Sequence, residues 1–465
     1  MTETDRVRGP ALPAERFGPR LARHLGELLR LAWPVMLSRA GILVMAFTDI
    51  AMLGRYSPEA VGVASLALAI FVPVLVMSIG LGSGVIAETA QAYGRGDWQA
   101  CGRAWRRAMV WGGVVSIFGA WIVWQAAWLL VVIGQDGPLT DEAGIVARVL
   151  APGLVAQVIF AVCAFYLEAT RRPMAALWTM LFANIANAAL NWLLIFGNAG
   201  MPELGAAGAA LASTLVRIGA ALALAAFILR QSEPRAAGVI GPWETFWGPG
   251  GWRSGAMMRK LGLSAGLSNG CETVGFTAMN LLAAGMGTLP LAAYSISHNL
   301  VSTVFMIGLG LAIATGVRVG IETGKGRPAE AAFAGWTGLG TAVVIMSALA
   351  VLAILWRIEI GALYTNDPEL ALRAAAVIAV AAFIFIPDAA QVVMGQAVRA
   401  LGDAWIAILA YFSAFFVLMV PLGWWFATWS GWDERGLAVA IILSCIAATG
   451  MLAWRFATLT GRGKG

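Results

Sequence analysis

Three carboxylates, Asp49, Glu272 and Asp388, lie in runs of apolar residues long enough to sit inside a bilayer. A carboxylate at that depth costs about 2.5–3.5 kcal/mol on insertion scales, so residues of this type there point to the handling of protons, ions or cationic solutes. Ser268, Asn269, Glu272, Phe276 and Asn280 recur at steps of three and four, which places them on one helical face, and Asp388, Gln391, Gly395 and Arg399 follow the same period. Pro387 removes an amide donor just before Asp388 and frees the carbonyl four residues earlier. Carboxylates with freed carbonyl and amide oxygens suit Na⁺, which makes Glu272 and Asp388 candidate Na⁺ ligands. The same pair can instead share a proton, and a structural hydrogen-bonded network is the third reading.

The first half offers a different set. Asp49 ends a span in AFTDIAMLG, and Asn184, Asn187 and Asn191 share one face of ANIANAALNWLLIFG. These amides either line a cavity with Asp49 or tie helices together at about 1 kcal/mol each. Arg39 and Arg217 also fall inside spans, where a guanidinium stays charged and needs a partner; Asp49 is a candidate for Arg217. His298 reads first as a histidine packed between helices and second as a proton-coupling group. Glu88 and Glu168 stand beside arginines near span ends and read as interfacial ion pairs.

The elements that must hold these residues follow from composition. The 465 residues are 60% hydrophobic and 12% charged, about half the charged fraction of an ordinary soluble domain. Apolar stretches recur at 29–53, 60–86, 104–133, 144–170, 172–197, 205–230, 258–287, 289–316, 330–356, 371–400, 403–427 and 435–459, each long enough to span as a helix. The reading is therefore an all-α polytopic membrane protein with twelve transmembrane helices. Most of the 31 Lys and Arg fall in loops on the side of the N-terminus, which puts both termini in the cytoplasm. The net charge of +6 then reflects topology, not nucleic-acid binding, because the basic residues are spread over short loops.

Residues 1–28 carry five arginines and no apolar core of the signal-peptide kind, and read as a cytoplasmic tail, with ERFGPRLARHLGELLRL either an amphipathic helix on the headgroups or unstructured. Cys101, Cys163, Cys271 and Cys445 are scattered, so neither a disulfide framework nor a zinc site is expected. Trp424, Trp425, Trp429 and Trp432 gather where the eleventh span ends, as an interfacial belt does.

The chain also repeats itself. IGLG at residues 79–82 recurs at 307–310, each followed by a glycine-bearing basic turn, AYGRGDWQA and ETGKGRPAE. The same offset carries Glu168-Ala169-Thr170-Arg171 onto Gln396-Ala397-Val398-Arg399. Six spans per copy is an even number, so the copies are parallel repeats about an axis along the membrane normal. The domains are a tail at 1–28, a six-helix lobe at 29–230, a cytoplasmic linker at 231–257, a second lobe at 258–459 and a tail at 460–465.

At these residues the chain resembles the multidrug and toxic compound extrusion (MATE) family, from about Leu31 to the last span. The motifs are AFTDIAMLGRYSPEAVGVAS, NAALNWLLIFG with GMPELGAAGAALAST, AQAYGRGD, RVGIETGKG, YTNDPEL and IPDAAQVVMGQAVRALGD, in order. The resemblance implies two pseudo-symmetric six-helix bundles of the MATE/MOP type, forming a V in the inner membrane and exporting cationic or amphipathic compounds against Na⁺ or H⁺. Position by position, it implies that Asp49, Asn187 and Asn191 are first-lobe cavity residues. Glu272 and Asp388 match the second-lobe acids linked to cation coupling and substrate binding, as in the NorM-like branch. Arg39, Arg217 and the Tyr294-Ser295 pair depart from the family pattern.

The expected function is secondary antiport by rocker-switch alternating access: Glu272 and Asp388, with Asn269, Gln391 and Asn280, hold Na⁺ or H⁺ and release it to an organic cation, and Asp49, Asn184, Asn187, Asn191 and Arg217 form the first-lobe cavity. No G-x-x-x-x-G-K-[ST] loop occurs, so an ion gradient is the energy source. No cofactor, enzymatic activity or nucleic-acid partner is expected, and the protein is read as a monomer in the inner membrane. The alternative is a lipid-linked oligosaccharide flippase of the same superfamily, which needs a basic cavity; Arg39 and Arg217 favour it and the acidic second lobe opposes it.

Overall fold

The computed structural model describes residues 17–135, 137–232, 235–241, 251–429 and 431–461; the tail up to residue 16 and most of the linker lie outside this description. Among the described residues there is no strand. Among the described residues, twelve long helices account for the fold: α1 Phe17–Tyr56, α2 Pro58–Gly94, α3 Trp98–Trp124, α4 Pro138–Ala169, α5 Met174–Leu194, α6 Gly205–Leu229, α7 Ala256–Gly285, α8 Thr288–Gly324, α9 Pro328–Leu355, α10 Pro368–Ala400, α11 Trp405–Thr428 and α12 Asp433–Gly461. Eleven of them are long and apolar enough to cross a membrane. The other, α7, has the length, and its Ser268, Asn269, Glu272 and Asn280 lower its hydropathy. Backbone polar groups have no water partners in hydrocarbon, which is why each crossing is a helix.

The chain divides into two compact units, one of residues 37–267 and one of residues up to Met36 together with 268–465. In the first unit, α4 packs on α2, α3 and α6; in the second, α10 packs on α8, α9 and α12. The fourth helix of each sequence repeat is thus the hub of its bundle, and α4 is the most buried of the spans. Small residues permit the closest approaches. In the first unit the start of α7 lies so near α2 that a Cβ at Gly84 would sit within the Met258 carbonyl, and one at Gly262 within that of Leu81.

Prolines mark the irregular places. α10 tightens into a 3₁₀ stretch at Ala382–Ile384, just ahead of Pro387, where the lost amide donor breaks the ladder. The Pro387 carbonyl accepts a hydrogen bond from Thr449 of α12 at 3.1 Å. α11 widens into a π stretch at Ser413–Met419.

The lead-in is helical, as one of the two sequence expectations had it. From Phe17 it is continuous with α1 and packs into the second unit: His24 and Leu28 are buried, and Phe333 of α9 lies edge-on to the His24 ring at 4.9 Å. A histidine and a leucine one turn apart on a helix face can bury against a neighbour where a headgroup-bound helix would leave them half-solvated.

Candidate functional site

The second unit gathers its polar groups where α7, α10, α11 and α12 meet. Asp388 is 3% exposed and Gln391 fully buried, while Glu272 of α7 is half-buried. Glu272 lies within electrostatic range of Asp388 and of Arg399, and the Arg399 guanidinium sits 5.9 Å from the ring centre of Tyr411 on α11. Tyr411, buried, has Arg399, Glu272, Gln391 and Asp388 around its hydroxyl; Cys445 of α12 faces both carboxylates. One fixed cation therefore stands beside two acids. Asp388 Oδ1 and the Ser268 hydroxyl make no hydrogen bond to protein, while Gln391 lies within reach of the Tyr411 hydroxyl. Buried polar atoms are otherwise almost always paired, so this set has the chemistry of a site that takes a cation or proton. Among the described residues, no group of three or more His, Cys, Asp or Glu is placed to hold a metal ion.

The expected residues divide. Glu272, Asp388 and Gln391 come together, and Tyr411 and Cys445 join them from α11 and α12. The one available clue was Tyr411 itself, one of only six tyrosines in the chain, placed in mid-span. Asn280 turns its amide to the Phe276 carbonyl on its own helix at 3.2 Å, and the Asn269 carbonyl accepts from Thr273 at 2.8 Å. Below them, Tyr294 stacks on His298 at 6.0 Å and Phe276 lies 5.1 Å from the same ring, lining a small apolar cavity with Ser297 and Val301.

In the first unit Asp49 closes a ring of hydrogen bonds. Asn191 donates to its Oδ1 at 2.6 Å and Ser213 to its Oδ2 at 2.6 Å; Asn187 donates to the Ser213 hydroxyl at 3.2 Å and accepts from Asn191 at 3.3 Å. The ring joins α1, α5 and α6. Asn184, on the same face one turn earlier, instead donates to the Met180 carbonyl of its own helix at 2.8 Å. Ser213, on α6, was not singled out from sequence; only its small side chain on the turn before Arg217 hinted at it.

Both intramembrane arginines find settings that sequence left open. Arg39 pairs with Glu168 of α4 through contacts of 2.9 and 3.2 Å and lies over the Phe165 ring. Glu168, in the last turn of α4, is fully buried, and the guanidinium reaching it from α1 offsets the cost of burying its charge. Glu88 pairs with Arg107 at 3.5 Å. Asp49 and Arg217 form no ion pair within 4 Å; Arg217 stands over Phe71 at 5.0 Å, near enough to feel the charge of Asp49. The suggested Asp49–Arg217 pair is thus replaced by amide and hydroxyl donors, which reach Asp49 from adjacent helices while α6 turns Arg217 toward α2.

The family described as MatE matches the chain twice, over residues 34–193 and 265–425, one match in each half. The chain is 35% identical to a probable multidrug resistance protein NorM of Caulobacter vibrioides, over 98% of this chain and 96% of that one. It is 28% identical to multidrug resistance protein PmpM of Pseudomonas aeruginosa, over 97% of this chain and 94% of the relative. Among solved structures, the eukaryotic MATE transporter AtDTX14 superposes with a TM-score of 0.83 at 18% identity, covering 95% of this chain and 99% of that one. A MATE family transporter of the MOP superfamily in an outward-facing conformation superposes with a TM-score of 0.84 at 17% identity, covering 97% and 100%. At these identities the structural likeness speaks for the fold.

Proposed function

Because the chain belongs to the MatE family, we propose that it is a multidrug efflux transporter, a secondary antiporter that exports cationic or amphipathic compounds in exchange for Na⁺ or H⁺. The observation that carries this reading is the buried Asp388 beside Glu272, with an oxygen that no protein donor fills. Two acids and one arginine leave room for one positive charge, so a coupling cation and a cationic substrate compete for the same negative site. Arg399 and Tyr411 limit how tightly that cation is held. Glu272 and Asp388 are the coupling residues, assisted by Gln391; Na⁺ would be held by the two carboxylates and the Gln391 oxygen, and a proton by the carboxylates alone.

Exchange then requires that the site open to one face of the membrane and then to the other, by rocker-switch alternation of access. The even number of crossings and the basic loops support both termini lying in the cytoplasm, in the inner membrane of a bacterium. Asp49, Asn187, Asn191 and Ser213 supply the first-half polar site. The monomer is the working unit.

The rival, a flippase for a lipid-linked anion, needs free basic groups in a cavity. Arg39 is already taken by Glu168, which leaves Arg217, whose Nη1 makes no hydrogen bond, as the feature favouring it.

The test is efflux of a cationic dye from proteoliposomes under an imposed Na⁺ gradient or an imposed proton gradient. Asp388→Asn is expected to abolish efflux under whichever gradient drives the wild type. Unchanged efflux at normal protein levels would sink the mechanism, and transport of a lipid-linked anion in place of the dye would establish the flippase.

A further inference from the structure

In the first unit one cation lies deep in its helix bundle without a bonded partner. Arg217 is twelve residues from each end of α6, Gly205–Leu229, which is about 18 Å of helix either way. Its side chain is too short to carry the guanidinium to a headgroup from there, so the charge stays at mid-span. Among the described residues it forms no ion pair; its Cζ stands 5.0 Å from the centre of the Phe71 ring on α2, and its buried Nη1 meets no acceptor. A charge at the centre of a spanning helix costs about 2.5–3.5 kcal/mol on insertion scales. The face of an aromatic ring offsets about 0.5–2 kcal/mol of that.

Asp49 is near enough for its charge to be felt, yet its carboxylate is held elsewhere. Oδ1 accepts from Asn191 and Oδ2 from Ser213, each at 2.6 Å. Two amide oxygens on α5 are also unanswered. Asn191 gives its N–H groups to Asp49 and Asn187, and Asn184 gives one to the Met180 carbonyl, while Oδ1 of each is buried and accepts nothing. Folded interiors leave few buried polar atoms unpaired, so a donor on α6 and two acceptors on α5 mark a place for a ligand. Asp49, Asn184 and Arg217 are only half-buried, so a solute can reach them.

The arrangement of charge selects the ligand. A bare anion approaching Arg217 meets the field of Asp49, and a bare cation approaching Asp49 meets the field of Arg217. A molecule that carries both signs is favoured at both ends. We propose that Arg217 takes the carboxylate of amphoteric substrates, compounds with a carboxylate and a cationic nitrogen in one molecule, while the nitrogen lies toward Asp49 and Oδ1 of Asn191. Guanidinium and carboxylate match in planar, paired N–H···O geometry, and the guanidinium keeps its charge when buried. The inference rests on the export reading above and adds to it the class of cargo that the first-half site accepts. Depth excludes a lipid headgroup as the source of the anion, since α6 holds Arg217 midway between its ends.

The full-length protein in neutral detergent would be titrated with tetramethylrhodamine and with its methyl ester, with binding read by fluorescence anisotropy. The two dyes share the cationic chromophore and differ in the carboxylate. Arg217→Gln is expected to weaken the free acid relative to the ester by about tenfold or more, the scale of a hydrogen bond to a charged group. Arg217→Met, an independent variant that also removes a mid-span charge, should do the same. Binding in the second unit contributes alike to wild type and variant and drops out of the comparison. An equal effect on both dyes, or no effect on either, overturns the proposal. Failure of the export reading would look different: neither dye would leave proteoliposomes under a gradient, with the binding difference intact.

Discussion

Asp49 and Asn187 are joined twice, once through Asn191 and once through Ser213, so that a carboxylate on α1 is locked to two neighbouring helices by a closed ring of four side chains. A ring of this kind holds each member in one orientation. Asp49 then presents a fixed, hydrogen-bonded carboxylate, in contrast with Asp388, which has an oxygen free of protein donors.

Removing one donor from that ring should cost about 1.5–3 kcal/mol, the range for hydrogen bonds to charged groups. Asn191→Ala and Ser213→Ala are each expected to lower the thermal stability of the purified protein. Because they act through one network, the double variant should lose less than the sum of the singles, which a double-mutant cycle would detect. Strict additivity would mean the ring is not cooperative.

Arg39 and Glu168 predict a different pattern. Arg39→Ala strands a fully buried carboxylate, a loss of about 3–5 kcal/mol, whereas replacing both partners with apolar residues of similar size, R39M/E168L, should restore most of the stability. Melting curves of the three proteins separate these outcomes. A double variant as unstable as R39A would show that the pair does more than neutralise itself.

Arg399 is the fixed cation beside Glu272 and Asp388, so its removal leaves two acids without a resident counter-charge. Arg399→Gln is expected to lower the cation concentration that half-saturates dye efflux and to lower the maximal rate, because a more strongly held cation leaves more slowly. Rates measured across a series of Na⁺ or proton concentrations provide the check. An unchanged half-saturation point would remove Arg399 from the coupling site.

His24 bridges two charged groups in the second unit. Arg318 places Nη2 2.9 Å from His24 Nδ1 and also donates to the His24 carbonyl. A guanidinium only donates, so Nδ1 must accept and Nε2 carries the hydrogen toward Glu330, 2.8 Å away. His24→Ala should therefore loosen residues 17–28 from α9, read as faster amide hydrogen exchange in that segment with the remainder of α1 unchanged. Unaltered exchange would mean that Leu28 and the arginines around Glu330 suffice to hold it.

The sequence alone determined the number of long helices, the two-fold repeat and the residues worth watching. The physical reason is that hydrocarbon permits only satisfied backbone, so long apolar runs can be little but helices, and polar residues within them stand out. Glu272, Asp388 and Gln391 were legible because period and proline both marked them. The pairing of side chains was not. α2, α4 and α8 are apolar on nearly every side, so hydropathy does not say how far each is rotated about its axis, and rotation decides partners. Only the packed structure could send Arg39 to Glu168, 129 residues away, give Asp49 to Asn191 and Ser213 while Arg217 turned to Phe71, and bring Tyr411 over Arg399.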